Sequence, residues 1–171
     1  IAKFLKKKGV KVCVFKPFAT GCKKQKGVLI AEDAEFLKEY VPLDLELDKI
    51  SVVKYELPLA PYSAELETGI AWEKEKVFSA LESLRDEYDF IVVEGIGGIL
   101  VPLSYKYYVT DLISEIGYPV LVVARPNLGT LNHTLLTIEK LKSLKLKIIG
   151  VVFNNYFLNE GNDVSVNSNQ K

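Results

Sequence analysis

Short apolar runs and segments with helical spacing alternate along this chain. The apolar runs predict strands over residues 10–15, 90–93, 119–124 and 147–153. Between them, apolar residues recur at helical spacing among charged ones, most clearly over residues 72–87, and this spacing predicts amphipathic helices. Strands that alternate with helices of this length form right-handed βαβ units. The pattern therefore predicts an α/β fold, a doubly wound and mainly parallel sheet with helices on both faces, as a single domain over residues 1–171.

The apolar run at residues 90–93 has no polar alternation, which is typical of a central strand buried on both faces of a parallel sheet. Glu94 follows the run, and glycines stand at positions 95, 97 and 98. A carboxylate is costly to bury unless it lies where the sheet opens, and glycines let the backbone approach another group closely. This combination predicts a binding site rather than a simple turn.

Polar residues follow each of the four predicted strands. They are Lys16, Glu94, the segment 127–132, and the pair Asn154 and Asn155. Because ligands bind outside the carboxyl ends of parallel strands, we expect these residues to meet at one edge of the sheet. A carboxylate there can hold Mg²⁺, and a lysine beside it can meet the charge on a transferring phosphoryl group. Glu94 and Lys16 are the candidates for these two roles.

The segments between these strands carry weaker signals. Residues 22–27 are predicted to be a basic loop, and a helix is predicted to begin at residue 31, with acids in its first turn. Another helix is predicted over residues 109–116, and one more from the loop at 127–133 to about residue 144. Cys13 stands within an apolar run and is expected to be a small core residue.

Charge and hydropathy limit the partners of the protein. Lysine plus arginine equals aspartate plus glutamate at 22 each, so no overall field attracts nucleic acid or an anionic membrane. No apolar stretch approaches the roughly 18 residues that span a bilayer, and no signal-peptide pattern opens the chain. We therefore expect a cytoplasmic protein that binds neither nucleic acid nor membrane.

Five segments, in this order and spacing, resemble the motifs of the dethiobiotin synthetase family. They are KPFATG at 16–21, EDA at 32–34, VEGIGG at 93–98, PLS at 102–104 and NLGTLNH at 127–133. The resemblance extends from residue 10 to residue 155. It implies a homodimeric enzyme of biotin biosynthesis with a P-loop NTPase fold and with its active site near the interface between subunits. The implied reaction closes the ureido ring of dethiobiotin from 7,8-diaminopelargonic acid, CO2 and ATP, through a carbamate and a carbamic-phosphoric anhydride.

The resemblance also implies a role for each matching residue on the nucleotide side. Lys16 would be the catalytic residue, beside the carbamate and the γ-phosphate of ATP. Asp33 and Glu94 would bind Mg²⁺ and, through it, the nucleotide. Asn154 would lie near the adenine.

On the substrate side, Thr20 would hydrogen-bond the carbamate or a substrate amine, and Gly97 and Gly98 would let the backbone approach the substrate. The backbone amides at a helix N-terminus would bind the substrate carboxylate of the neighbouring subunit. The residues that carry these amides are Gly129, Thr130, Leu131 and Asn132. His133 is expected to serve packing or a dimer contact.

One family motif has no counterpart in the sequence, because no Gly-x-x-x-x-Gly-Lys-[Ser/Thr] segment occurs in it. We therefore expect the phosphate-binding loop to precede residue 1, and the end of the family's nucleotide pocket to follow residue 171. Two alternatives stay open. One is an amidating ATPase domain of the cobyrinic or cobyric acid synthase type, and the other is a catalytically silent binding module of the same fold.

Overall fold

The computed structural model describes residues 1–154 of the chain. Its helices are α1 (Ala2–Lys7), α2 (Glu32–Tyr40), α3 (Leu47–Ile50), α4 (Pro61–Thr68), α5 (Lys74–Glu87), α6 (Val109–Ile116) and α7 (Thr130–Ser143). Its strands are β1 (Val12–Phe15), β2 (Phe18–Thr20), β3 (Lys23–Gln25), β4 (Val28–Ile30), β5 (Val53–Tyr55), β6 (Phe90–Val93), β7 (Pro102–Ser104), β8 (Tyr107–Tyr108), β9 (Val120–Ala124) and β10 (Ile148–Phe153). Among residues 1–154, none of the helices combines the length and the apolar character that a bilayer-spanning helix needs.

The described strands form five two-stranded ladders, and three of these ladders are parallel. β1 pairs with β6, β2 with β5, and β9 with β10. Two antiparallel hairpins, β3–β4 and β7–β8, complete the set. The predicted α/β class, with parallel strands and helices, is confirmed.

Contacts between Cα atoms divide the chain into two compact units, Ile1–Val109 and a second that begins at Thr110. The first unit contains the ladders β1–β6 and β2–β5 with both hairpins, and the second contains β9, β10 and α7. The expectation of a single domain stays a prediction.

The burial of the first parallel ladder differs from the prediction. All four residues of β1 are buried, whereas Phe90 of β6 is 46% exposed and the three residues after it are half-buried. The prediction that residues 90–93 form a strand buried on both faces is therefore wrong for β6. An uninterrupted apolar run indicates burial only where neighbours cover the strand, and among the described strands β6 is hydrogen-bonded to β1 alone.

The basic segment at residues 22–27 is a hairpin rather than the predicted loop. β3 pairs antiparallel with β4, and the turn between them places Lys26 at φ 52° and Gly27 at φ 85°. Two successive positive φ angles are typical of the type I′ turns that join two-residue hairpins. No strand pattern is visible in this segment because β3 is fully exposed, so its side chains show no apolar alternation.

Most helix boundaries agree with the sequence within one or two residues. α6 occupies residues 109–116 as predicted, and α2 begins at Glu32, one residue after the predicted start. α4 begins at Pro61, where a proline costs nothing because the first amide of a helix has no intrahelical acceptor. Cys13 is fully buried, as expected of a small core residue.

Candidate active site

The register of the β1–β6 ladder brings Lys16 and Glu94 together. Phe15 and Val93 form the last pair of the parallel ladder, so Lys16 and Glu94, which follow them, lie side by side at the ends of their strands. The Glu94 amide donates to the Phe15 carbonyl at 2.9 Å, which fixes the backbone at this point. The Lys16 ammonium then donates to Glu94 Oε1 at 2.8 Å. The predicted meeting of these two residues at the carboxyl ends of their strands is therefore observed.

Asp33 reaches the same ammonium from the start of α2. Its Oδ2 lies 2.6 Å from the Lys16 Nζ. Ala34 is fully buried, which holds the first turn of α2 in place, and Glu32 forms an ion pair with Lys23 of the hairpin strand β3. An exposed ion pair therefore links the hairpin to the helix turn that presents Asp33, a contact that the sequence did not reveal.

The lysine is the buried member of this cluster. Its side chain is 11% exposed, whereas those of Asp33 and Glu94 are 63% and 50% exposed. Burial by itself lowers the pKa of Lys16, but the hydrogen bonds and charges of the two carboxylates outweigh it, and the pKa of Lys16 is raised above 10.5. Lys16 is therefore a fixed cation at neutral pH and cannot serve as a general base.

The two carboxylates have the chemistry of a magnesium site. Mg²⁺ prefers hard oxygen ligands and is commonly held by one or two carboxylates together with water and substrate phosphates. Asp33 and Glu94 converge on one point and keep solvent access, which fits this mode of binding. Residues 1–154 contain no cluster of three or more His, Cys, Asp or Glu side chains, so an all-protein metal cage is not formed within them.

A small cavity of about 70 Å³ connects Asp33 with Thr20, the predicted substrate ligand. It is lined by Ala19, Thr20, Gly21, Cys22, Ala31, Glu32 and Asp33. A cavity of this size holds a few water molecules or one small polar group. Thr20 and Asp33, which belong to separate motifs in the sequence, therefore border the same space.

The two predicted substrate glycines differ in their local surroundings. Gly97 has φ 61°, and a Cβ added to it would lie 2.9 Å from Val101 Cγ2. A Cβ on Gly98 would meet nothing within 4 Å. Position 97 requires glycine because its φ is positive and a Cβ would lie too close to Val101, whereas position 98 has room for a larger side chain.

In the second unit, α7 begins within the predicted anion-binding segment. Gly129, with φ 91°, is its N-cap. The Thr130 amide already donates to the Asn127 carbonyl at 3.1 Å. Leu131 and Asn132 occupy the next helical positions, where amides have no intrahelical acceptor.

Two other predicted residues also lie in this unit. His133 is exposed, and its Nε2 lies 3.7 Å from the position that a Cβ on Gly129 would take. Asn154 is exposed after β10, and its amide donates to the Ala124 carbonyl at 2.8 Å. The ring of His133 therefore lies beside the start of α7.

Parallel strands that end in a lysine and a carboxylate, with a second carboxylate supplied by the start of a helix, are typical of a P-loop NTPase-like protein. In agreement, a family model described as an AAA domain matches residues 1–169. The matched range covers both compact units.

ATP-dependent dethiobiotin synthetases are similar to the chain over most of its length. The enzyme from Endomicrobium trichonymphae is 43% identical over 99% of the chain and 76% of its own length. Those from Thermodesulfovibrio yellowstonii and Methanocaldococcus jannaschii are 41% and 39% identical over 86% and 90% of the chain. The chain belongs to the dethiobiotin synthetase family. It spans 65% of the Thermodesulfovibrio relative and 70% of the Methanocaldococcus relative.

Proposed function

We propose that the full-length protein containing this chain is an ATP-dependent dethiobiotin synthase. It would close the ureido ring of dethiobiotin from 7,8-diaminopelargonic acid, CO2 and ATP, with release of ADP and phosphate. The observation that carries the proposal is the Lys16 ammonium at the end of one parallel strand, held between Glu94 at the end of its neighbour and Asp33 in the first turn of α2. The family relationship supports the same reaction, because the relatives named above are ATP-dependent dethiobiotin synthetases.

The reaction needs three nucleophilic attacks, and the last two develop negative charge near phosphate. One substrate amine adds to CO2 and loses a proton, which gives a carbamate. A carbamate oxygen then attacks the γ-phosphorus of ATP, the bond to ADP breaks, and a carbamic-phosphoric anhydride results. The second amine attacks the anhydride carbon, loses a proton and expels phosphate as the ring closes.

Lys16 would stabilise the charge that develops in these steps. Its raised pKa keeps the ammonium protonated, so it acts as a fixed cation beside the carbamate and the transferring phosphoryl group. Asp33 and Glu94 hold this ammonium in place and would bind Mg²⁺. When bound, Mg²⁺ would neutralise charge on the phosphate oxygens of ATP.

Thr20 would orient the carbamate or a substrate amine from the wall of the cavity that it shares with Asp33. Gly97 and Gly98 would form the close wall of the substrate site. In the second unit, the amides of residues 129–132 would bind the substrate carboxylate of the neighbouring subunit, and Asn154 would lie near the adenine. These roles bring together charges and donors that position the substrate rather than react with it.

The proposal includes a homodimer and a cytoplasmic location. The side chains of Leu131, Leu135 and Leu136 on α7 are more than half exposed, which supports a subunit contact on this helix. Sedimentation of the full-length protein tests the dimer, and cell fractionation tests the location.

The direct test of the reaction is an assay of the purified full-length protein. Incubation with 7,8-diaminopelargonic acid, bicarbonate, MgATP and buffer should yield dethiobiotin by mass spectrometry, with one ADP per product. Omission of the diamine should stop ADP release. Amidation of a corrinoid acid instead would favour the cobyrinic-type alternative, and an absence of any ATP turnover would favour a silent binding module.

A further inference from the structure

Trp72 contacts both strand β2 and the β7–β8 hairpin of the first unit. Its indole Nε1 donates to the Leu103 carbonyl of β7 at 2.8 Å. Its ring meets Phe18 of β2 edge to face, with centroids 4.9 Å apart, and it meets Tyr107 of β8 at 5.6 Å. One half-buried side chain therefore contacts both strands of the β7–β8 hairpin and the strand that carries Thr20.

The loop that carries Trp72 is itself attached to the same parallel ladder. The Tyr55 hydroxyl donates to the Ile70 carbonyl at 3.0 Å, and Tyr55 is the register partner of Thr20. Gly69 ends α4 in the left-handed conformation and turns the chain into this loop. The loop is thus tied to β5 by a hydrogen bond and to β2 by an aromatic contact, both close to Thr20.

Phe18 contacts Trp72 and lies on the same strand as Thr20. Phe18 and Thr20 are two residues apart on β2, so their side chains lie on the same face of the strand. Phe18 is 2% exposed, and because protein interiors are close-packed, a cavity left by loss of the Trp72 indole would lie directly against its ring. A change at Trp72 should therefore shift Phe18, and with it the backbone that places Thr20.

We propose that Trp72 is a positioning residue for the diamine substrate, acting through Phe18 on Thr20. This role rests on the proposed function. Aromatic edge-to-face pairs contribute beyond their buried area, and a displacement of about 1 Å in a positioning group is enough to slow an enzyme by about a hundredfold. The effect should fall on the diamine more than on ATP, because Phe18 shares strand β2 with Thr20, whereas Lys16 precedes the strand and is held separately by its ion pairs with Asp33 and Glu94.

The test compares Trp72→Ala with Trp72→Phe in the full-length protein. Trp72→Ala should raise the KM for 7,8-diaminopelargonic acid about tenfold and leave the KM for ATP within about twofold of wild type. Trp72→Phe keeps a ring against Phe18 but loses the donor to Leu103, so the rise should be only about threefold. Leu81→Ala, at a buried position of α5, is the control: it should lower the melting temperature without changing either KM.

A double-mutant cycle with Thr20→Val tests the path of the effect. If Trp72 acts through Thr20, adding Trp72→Ala to Thr20→Val should change the diamine KM less than twofold. The positioning role would be overturned if the diamine KM of the double variant rose by the product of the two single increases. It would also be overturned if Trp72→Ala raised the KM for ATP as much as the KM for the diamine. An inactive wild type would instead refute the proposed function, whereas an active wild type with an unchanged KM in both Trp72 variants would refute only this inference.

Discussion

Replacement of Lys16 by alanine should separate catalysis from stability. The ammonium has two partners, Asp33 at 2.6 Å and Glu94 at 2.8 Å, and both carboxylates are at least half exposed to solvent. Water screens such pairs, so each contributes about 0.2–1 kcal/mol, and the burial of the lysine offsets part of this gain. The net loss in unfolding free energy should therefore stay near 1 kcal/mol, or about 2–4 °C in melting temperature for a domain of this size.

The loss of activity should be much larger. A fixed charge aimed at a developing negative charge is worth about 10²–10³ in rate, which corresponds to about 3–4 kcal/mol of barrier. The assay is dethiobiotin formation by the full-length protein at saturating substrates, beside a thermal melt of the same sample. Lys16→Arg keeps the positive charge but replaces the ammonium with a planar guanidinium of different donor geometry. It should therefore restore the melting temperature but not the rate. Turnover in Lys16→Ala within about threefold of wild type would refute the catalytic role.

The Mg²⁺ affinity of the Lys16→Ala variant is a second measurement, and unlike the rate it should not fall. Without the ammonium, Asp33 and Glu94 face each other as two uncompensated carboxylates, and their attraction for a divalent cation rises. Calorimetric titration should therefore show Mg²⁺ affinity that is unchanged or higher in the variant, although the rate falls. Weaker Mg²⁺ binding would contradict the idea that these carboxylates form the metal site.

The pH dependence of stability follows from the raised pKa of Lys16. Because its folded pKa lies above 10.5, the contribution of Lys16 to stability is fully present below pH 10.5 and is lost as the pH rises through the folded value. The difference in unfolding free energy between wild type and Lys16→Ala should thus be constant from neutral pH to about pH 10 and shrink above it. A difference that already shrinks near pH 8 would show that the two carboxylates do not raise the pKa of Lys16.

Three further experiments test the structure at separate points. Gly97→Ala should cost about 1–3 kcal/mol in urea unfolding, because its φ is 61° and a Cβ would lie 2.9 Å from a side-chain carbon, whereas Gly98→Ala, at an open position, should stay within about 0.5 kcal/mol. Equal losses of unfolding free energy in the two variants would contradict this interpretation of the turn. Lys26→Asn should raise the melting temperature by about 2 °C, since asparagine tolerates the φ of 52° that strains lysine, and a lower melting temperature would argue against the hairpin. Burial, with a smaller effect of nearby Glu87, raises the pKa of Cys13 to about 12, so iodoacetamide at pH 8 should label Cys13 only after denaturation, as read by mass spectrometry.

Much of the candidate site was predictable because the position of a strand end is encoded locally. The apolar runs before Lys16 and Glu94 specify two strands, and parallel pairing then brings their carboxyl ends to one level. The helix at residues 109–116 was predictable for the same kind of reason, since its apolar spacing lies within a single element. Asp33 was assigned from its motif alone, and its contact with Lys16 depends on where α2 packs.

Local sequence patterns specify the α/β class, most element boundaries and the chemical identity of the charged residues at the strand ends. These depend on periodicity, turn chemistry and residue type, which are properties of short segments. Three features emerge only in the folded chain: β1 is more buried than β6, the basic segment is a hairpin linked to α2 by an ion pair, and Trp72 reaches both β2 and the β7–β8 hairpin. Each of these depends on contacts between residues far apart in the chain, and no local pattern records which neighbour covers a strand or receives an indole hydrogen bond.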